Sequence, residues 1–457
     1  TYLKVGGGNL ERKAIRREPL QNIFPIIIVL AYLTITVLLF AFGPYNYPVE
    51  NKGLLYLFLV SVEVMLLFGY YVGIKKKDNT FPKNLERGIK FFKRSMLIFL
   101  IFIPFTNFLN TGSFIFNFNA INNLGGAYTE SLTLRQGRGF SIIISYLRIF
   151  FSPFLIAFIP LGLFYWENLK KRTKILYLIG VLGGLGLDLF RGTNKTLADY
   201  LIIFLVLFLY KSVKSARVRK KSLLNPSLYK NVNITFFNKL LKLLVVISIM
   251  FLLFFVYFSN SAPNRYGIRI YGPTGQYFLD VNHISLSWIK SGQLKLIVGA
   301  FIHYFTQGYY ALGLAISKPF LPTFGIGSSM AILINVSRLF NTNYLFERTY
   351  VYRNYLNDGW DWHMQWSTFY TWVASDISFI GVVILMFFIG YLLARTWKRA
   401  KDKNDYISLV VFVQLMLLCF YLPANNQLFQ SYEGLFGNMF WLMIWLLSIK
   451  KMKEKSA

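Results

Sequence analysis

The sequence predicts an all-α integral membrane protein, on three observations. Hydrophobic residues make up 55% of the 457-residue chain and charged residues only 15%, whereas a soluble domain of this length needs far more charge to cover its surface. Apolar runs of about 20 residues, the length that crosses a hydrocarbon core, recur along the chain. Lysines and arginines collect in every second connection between those runs, the pattern that sets orientation across a membrane. The aromatic content of 19% suits side chains crowded at the two interfaces.

Taken in order, clear spans are predicted at Ile23–Phe42, Leu54–Ile74, Phe140–Trp166, Lys242–Phe258, Asp376–Trp397 and Tyr406–Pro423. Weaker ones are predicted at Met96–Leu109, Ile175–Phe190, Leu197–Tyr210 and Leu435–Ile449. That makes about ten transmembrane helices, an even number that leaves both termini on one side. With the amino terminus inside, segments 1–22, 75–95, 167–174, 211–242, 395–405 and 450–457 are inside as well. These segments hold most of the 49 lysines and arginines, so both termini are predicted to be cytoplasmic. The first run is long and follows basic residues, which points to an anchor rather than a cleaved signal peptide.

One connection differs from the others. Between Phe258 and Asp376 there is no convincing span, yet the segment is rich in Tyr, Trp and Phe and holds apolar patches such as Leu296–Ile302. Residues 259–375 are expected to form a large extracytoplasmic loop of short interfacial helices that caps the bundle, within one polytopic domain covering 1–457. A smaller outer segment, Asn110–Gly139, is rich in Asn and Gly. In a soluble protein the net charge of +30 would suggest nucleic acid. Here the apolar content argues against that partner, and most of the charge reads as an orientation signal. The single cysteine, Cys419, excludes a disulfide framework and any multi-cysteine metal site. There is no Walker loop, no dinucleotide-binding glycine fingerprint, no His-Glu-x-x-His helix and no Asp-x-Asp pair, so neither metal nor cofactor is expected.

The informative cations are those that break the inside bias. Arg191-Gly192-Thr193-Asn194-Lys195 lies between two short spans, with Asp188 just before it, Asp199 just after it and four glycines upstream at 180, 183, 184 and 186. Short, glycine-interrupted membrane segments mark binding sites, and Arg plus Lys at membrane depth is costly unless paired or ligand-bound. Arg191 and Lys195 therefore read as a clamp on an anion, best a diphosphate. The structural alternative is a tight turn in which they pair with Asp188 and Asp199. Arg135 and Arg138 stand at the mouth of the span that begins near Phe140, and Arg148 lies deeper in that span. An intramembrane cation is a functional-site candidate by default; the alternative for Arg148 is an ion pair with Glu63 or Asp188. Arg265 and Arg269, with Arg338, Arg348 and Arg353, supply the outer loop with cations that orientation would deplete, although each alone reads as a surface charge.

Trp360 to Trp366 packs three tryptophans around Asp361 and His363. That pattern suits stacking on sugar faces, and it suits an interfacial aromatic belt as well. His363, Asp358 and Asp376 are the candidate general bases. Asp376 also fits a helix amino terminus, where its charge would be stabilised. His303, in an apolar run, reads as a packed core histidine.

Four features together resemble the Wzy-type polysaccharide polymerases, the family that polymerises O-antigen and capsule repeat units. The first is the basic, inside-amino-terminus topology with a long outer loop late in the chain. The second is the Arg191-Gly192 turn between two short spans. The third is the text His303-Tyr304-Phe305-Thr306-Gln307-Gly308-Tyr309-Tyr310-Ala311-Leu312, followed by Phe324-Gly325-Ile326-Gly327. The fourth is Ser367-Thr368-Phe369 leading to Asp376 and Gly381. These features span about a third to a half of the chain; Phe190 departs from the pattern, in which small residues often precede the Arg-Gly pair. The resemblance implies a GT-C-like, metal-independent lipid-sugar glycosyltransferase in a bacterial plasma membrane, with its active site facing outward. It implies a growing glycan on undecaprenyl diphosphate as donor, a lipid-linked repeat unit as acceptor, no cofactor, and a chain-length regulator and a flippase as partners. On that reading Arg191, Lys195, Arg135, Arg138, Arg148, Arg265 and Arg269 meet the diphosphate charge, and His363, Asp358 or Asp376 takes the acceptor proton. A transporter of the same lipid-linked sugars would also hold cations at membrane depth, but it would spread them along a central cavity and lack a hundred-residue outer loop. A ligase that moves finished glycan to another acceptor would share the clamp.

Overall fold

The computed structural model describes residues 7–76, 85–118, 120, 124–134, 139–222, 270–272 and 275–454, with a few residues between 245 and 259. Most of the predicted span at Lys242–Phe258 lies outside these residues, as do Arg135, Arg138, Arg265 and Arg269.

The chain is helical almost throughout. Helix α1 (Gly7–Phe42) leads through strand β1 (Tyr45–Asn46) to α2 (Lys52–Lys75). Then come α3 (Leu85–Thr111), α4 (Leu124–Leu134), α5 (Phe140–Tyr165), α6 (Lys171–Leu189) and α7 (Lys195–Ser222). Strand β2 (Phe278–Leu279) precedes α8 (Gly292–Ile316), α9 (Met330–Phe340), α10 (Tyr344–Arg348) and α11 (Tyr350–Asp358). Helices α12 (Phe369–Lys403), α13 (Tyr406–Tyr421) and α14 (Tyr432–Glu454) complete the order.

Among the described residues, five helical stretches are long and apolar enough to cross a membrane: Gln21–Phe42, Lys52–Lys75, Phe140–Asn168, Phe369–Lys403 and Tyr432–Ile449. The protein is thus of the all-α membrane class. The weaker segments predicted at 96–109, 175–190 and 197–210 fall on α3, α6 and α7. Helix α13, with 16 residues, is apolar but shorter than a span.

Helix α2 shows why these sequences form such helices. Its buried residues Leu55, Leu59, Val62, Leu66 and Tyr70 recur every three or four positions and face the bundle. Its other face stays apolar and uncovered, with Leu57, Val60, Val64 and Phe68 each more than half exposed. A helix that is apolar over most of its surface suits an apolar solvent, because its backbone polar groups are satisfied within it. Helix α2 packs closely on α12. A Cβ on Gly69 would lie 1.9 Å from the Phe387 carbonyl oxygen, and one on Gly390 would lie 2.0 Å from that of Leu66. Small residues at both crossings let the two backbones touch, which is how membrane helices gain packing when lipid offers no hydrophobic drive.

Two boundaries differ from the prediction. Helix α12 begins at Phe369, capped by the Thr368 side chain, and breaks at Ser378, whose φ is 65°. Asp376 therefore sits beside a break inside the element and does not open the helix. The polar Ser367-Thr368 pair is the true start signal, because a hydroxyl at that position accepts a first-turn N–H. Helix α8 is also longer, at 25 residues, than the short surface helices expected there. It is capped by Ser291 and buries Thr306, Gln307, Tyr309, Tyr310 and Leu312 against its neighbours.

The long 270–368 segment packs at the end of the bundle where α1 gives way to α2. Strands β1 and β2 pair antiparallel there, Tyr45 with Leu279 and Asn46 with Phe278. At the opposite end, basic residues close helix termini. Lys398 Nζ donates to the Ile74 carbonyl at 2.9 Å and Arg395 to that of Lys76 at 2.7 Å, satisfying the last carbonyls of α2. Arg395, Arg399 and Lys401 are buried, so part of the charge that reads as an orientation signal also caps and packs.

Candidate functional site

A cavity of about 330 Å³ opens between α3, α5, α6 and α7 and the start of α14. Phe99, Phe102, Leu155, Ile156 and Ile159 give it one apolar wall. Arg148, Arg191, Lys195, Asp188, Asp199 and Glu433 give it a charged one.

The turn between α6 and α7 builds much of the charged wall. Gly192 has φ +71°, and a Cβ there would lie 2.3 Å from the Leu124 carbonyl oxygen, so glycine is required by both conformation and contact with α4. The Thr193 N–H donates to the Asp188 carbonyl at 2.9 Å and closes the turn. Asp188 then caps the next helix: its Oδ2 accepts from the Thr196 N–H at 3.0 Å and from the Thr196 hydroxyl at 2.6 Å. With both ends pinned, Arg191 and Lys195 face the cavity from two positions of one rigid turn.

Each cation has an acidic partner. Lys195 Nζ lies 2.7 Å from Asp199 Oδ2, and the Tyr421 hydroxyl donates to the other oxygen of Asp199 at 2.6 Å. Arg191 is held more loosely, 3.8 Å from Asp188 and 3.4 Å from Asn110 Oδ1. Its Nε is buried and has no hydrogen-bond partner. Arg148 makes a two-toothed pair with Glu433, Nε and Nη2 each donating at 2.7 Å, and its Nη1 reaches Thr106. The acid facing Arg148 is therefore Glu433 rather than Glu63 or Asp188. An acid in the first turn of an apolar helix, as Glu433 is in α14, was the sequence signal for it.

The other predicted site residues lie elsewhere. None of His363, Asp358 and Asp376 lines the cavity. His363 is exposed, with Nδ1 2.9 Å from Asp361 and its ring stacked on Trp362. Asp358 pairs with Lys318, which also donates to Asn354 at 2.7 Å. Asp376 accepts from the Thr323 hydroxyl at 2.5 Å and from the N–H groups of Gly327 and Ser328 at 2.9 and 2.8 Å. It staples the 323–328 loop to α12. His303 lies among Tyr45, Tyr47 and Tyr277, with Nδ1 2.7 Å from the Tyr47 hydroxyl and Nε2 3.3 Å from that of Tyr277. Burial pushes its pKa down to about 3, so the ring is neutral.

A pocket lined by both apolar and cationic side chains accommodates an amphiphilic anion: the charged group displaces or joins the acidic partners, and the tail lies against the apolar side chains. Among the described residues, no group of three or more His, Cys, Asp or Glu side chains is placed to hold a metal ion. Against protein-family models, curated proteins and solved structures, the chain has no match.

Proposed function

We propose that the protein is a polysaccharide polymerase of a bacterial plasma membrane that transfers a growing glycan from undecaprenyl diphosphate onto an incoming lipid-linked repeat unit. In this reading the chain has about ten spans with both termini cytoplasmic, a GT-C-like bundle, and a cavity open to the outer side. A flippase would supply the repeat unit and a chain-length regulator would set the product. The observation that carries the reading is the convergence of Arg148, Arg191 and Lys195 on one cavity with an apolar wall, Arg191 holding a buried Nε without a partner.

The chemistry follows from that placement. The acceptor hydroxyl attacks the anomeric carbon, and the lipid diphosphate leaves with the bonding electrons. Charge grows on the departing oxygen, and cations held in place around it stabilise it better than water, which must reorient to do so. A buried N–H without a partner costs about 1–3 kcal/mol, which a phosphate oxygen would recover. The apolar wall suits an isoprenoid chain and would give little to a free nucleotide or sugar.

The test is the glycan ladder of cells carrying Arg191→Ala, with protein abundance measured alongside. Loss of one such donor is expected to slow transfer by about 10²–10³-fold, collapsing the ladder to single repeat units while the protein persists. An unchanged ladder would move the clamp away from Arg191. Failure of single units to reach the outer face would replace the polymerase with a transporter.

A further inference from the structure

We infer that Glu433 is the general base of the transfer, and that the donor diphosphate switches it on by drawing Arg148 away from it. The inference rests on the polymerase reading and assigns the proton acceptor, for which His363, Asp358 and Asp376 are displaced from the cavity.

The three acids of the cavity differ in how they are held. Asp188 is pinned by the N–H and hydroxyl of Thr196, and its side chain is 14% exposed. Asp199 is gripped on one oxygen by Lys195 and on the other by the Tyr421 hydroxyl, and is 18% exposed. Glu433 is the most open of the three at 34%, and both of its oxygens face the guanidinium of Arg148. Asp188 and Asp199 are thus fixed by groups of the α6–α7 turn or by a buried tyrosine. Both oxygens of Glu433 are held by a cation that a diphosphate would also bind.

In the resting cavity the two-toothed pair occupies both oxygens of Glu433 with guanidinium donors, so an acceptor hydroxyl would have to compete with Arg148 for them. A diphosphate offers Arg148 the same planar two-oxygen geometry with more charge. When the guanidinium turns to the diphosphate, the two donors of Arg148 leave the Glu433 carboxylate, and the acceptor hydroxyl can donate its proton there. The base is therefore competent only while a donor is bound, and an empty cavity does not activate water or a stray hydroxyl.

The step balances. The acceptor O–H bond breaks and its proton goes to the Glu433 carboxylate. The oxygen forms a bond to the anomeric carbon. The bond from that carbon to the diphosphate oxygen breaks, and the electron pair leaves with the lipid diphosphate, whose charge rests on Arg148, Arg191 and Lys195. When the diphosphate departs, Glu433 releases its proton to water and pairs with Arg148 again.

The experiment uses the purified full-length protein with two readouts, binding of farnesyl diphosphate and polymer formation from lipid-linked repeat units isolated from the source cells. Glu433→Gln is expected to bind farnesyl diphosphate as tightly as the parent or more so, since a competitor for Arg148 is gone. Its turnover is expected to fall about 10²–10⁴-fold, and the acidic limb of its pH–rate profile to vanish. Glu433→Asp, which keeps the charge, should retain that limb at reduced rate; it guards against a glutamine variant that simply unfolds. Binding weakened tenfold or more in both variants would overturn the inference and leave Glu433 as a prop for Arg148. Full turnover in Glu433→Gln would overturn it as well. A parent protein that neither binds farnesyl diphosphate nor makes polymer would bring down the polymerase reading itself, an outcome distinct from any loss confined to the Glu433 variants.

Discussion

Asp188 and Asp376 are both half-buried carboxylates near a break between helices, and the two regions they belong to use charge differently. Around Asp376, where α12 meets the segment packed on the α1–α2 turn, the carboxylate is filled by one hydroxyl and two backbone N–H groups. Nearby, Arg353 and Arg348 donate to the carbonyls of Pro319 and Pro322, and Lys318 joins Asp358 to Asn354. These charges close loops. Around Asp188, three cations pair with three acids along the lining of one cavity, and one guanidinium keeps a buried donor unmatched. The contrast separates a staple from a binding site: the residue types are the same, but the Asp376 carboxylate is taken up by the fold, whereas the cavity sets its charges around a space that a ligand can enter.

The comparison can be broken at three points. At neutral pH the largest effect is expected from Asp376→Ala, which strips a charged acceptor from three donors. Hydrogen bonds to charged groups are worth about 1.5–3 kcal/mol each, and a destabilisation of about 3 kcal/mol is expected. The check is the thermal unfolding midpoint in detergent together with farnesyl diphosphate binding by the folded protein, which should not change. A normal midpoint with lost binding would make Asp376 part of the site and erase the distinction.

Next comes acid. His303 is neutral in the folded protein because burial holds its pKa at about 3, against 6.5 for an ordinary histidine. The unfolded chain binds the extra proton first, so stability is fully present above about 6.5. It falls as the pH drops toward about 3, by at most about 1.4 kcal/mol per pH unit from this one group. Unfolding followed between these limits should show the loss, and His303→Phe should flatten it. An equal slope in that variant would place the acid sensitivity elsewhere.

The smallest effect is expected from His363→Ala. Its side chain is 62% exposed and stacks on Trp362 away from the cavity, so stability should change by no more than about 0.5 kcal/mol and the glycan ladder should persist. A collapsed ladder at normal protein abundance would make His363 the base after all and remove that role from Glu433.

The long helices α1, α2, α5 and α12 were readable in advance, because hydropathy is a local property and a span needs only its own residues. So were the partners of Arg191 and Lys195: Asp188 and Asp199 stand three and four positions away, a spacing at which any helix or turn brings side chains together. The start of α12 was misplaced because the acid at 376 outweighed the hydroxyl pair at 367 and 368, and nothing local revealed that loop 323–328 would take up that acid. The convergence of Arg148 with the Arg191 turn was expected from the family resemblance alone, since the two lie on α5 and after α6 with no periodicity linking them.

By itself, then, the sequence determined the membrane class, the position of most helices and the pairing of charges that are neighbours along the chain, all consequences of apolar run length and short-range geometry. Tertiary structure alone decided that Glu433, 285 residues from Arg148, would pair with it in the lining of a cavity, and that Asp376 would be consumed by a loop. The physical reason is that a charge takes its role from what surrounds it in space. Helix packing, set by glycine contacts such as Gly69 and Gly390, brings together residues that the order along the chain keeps far apart.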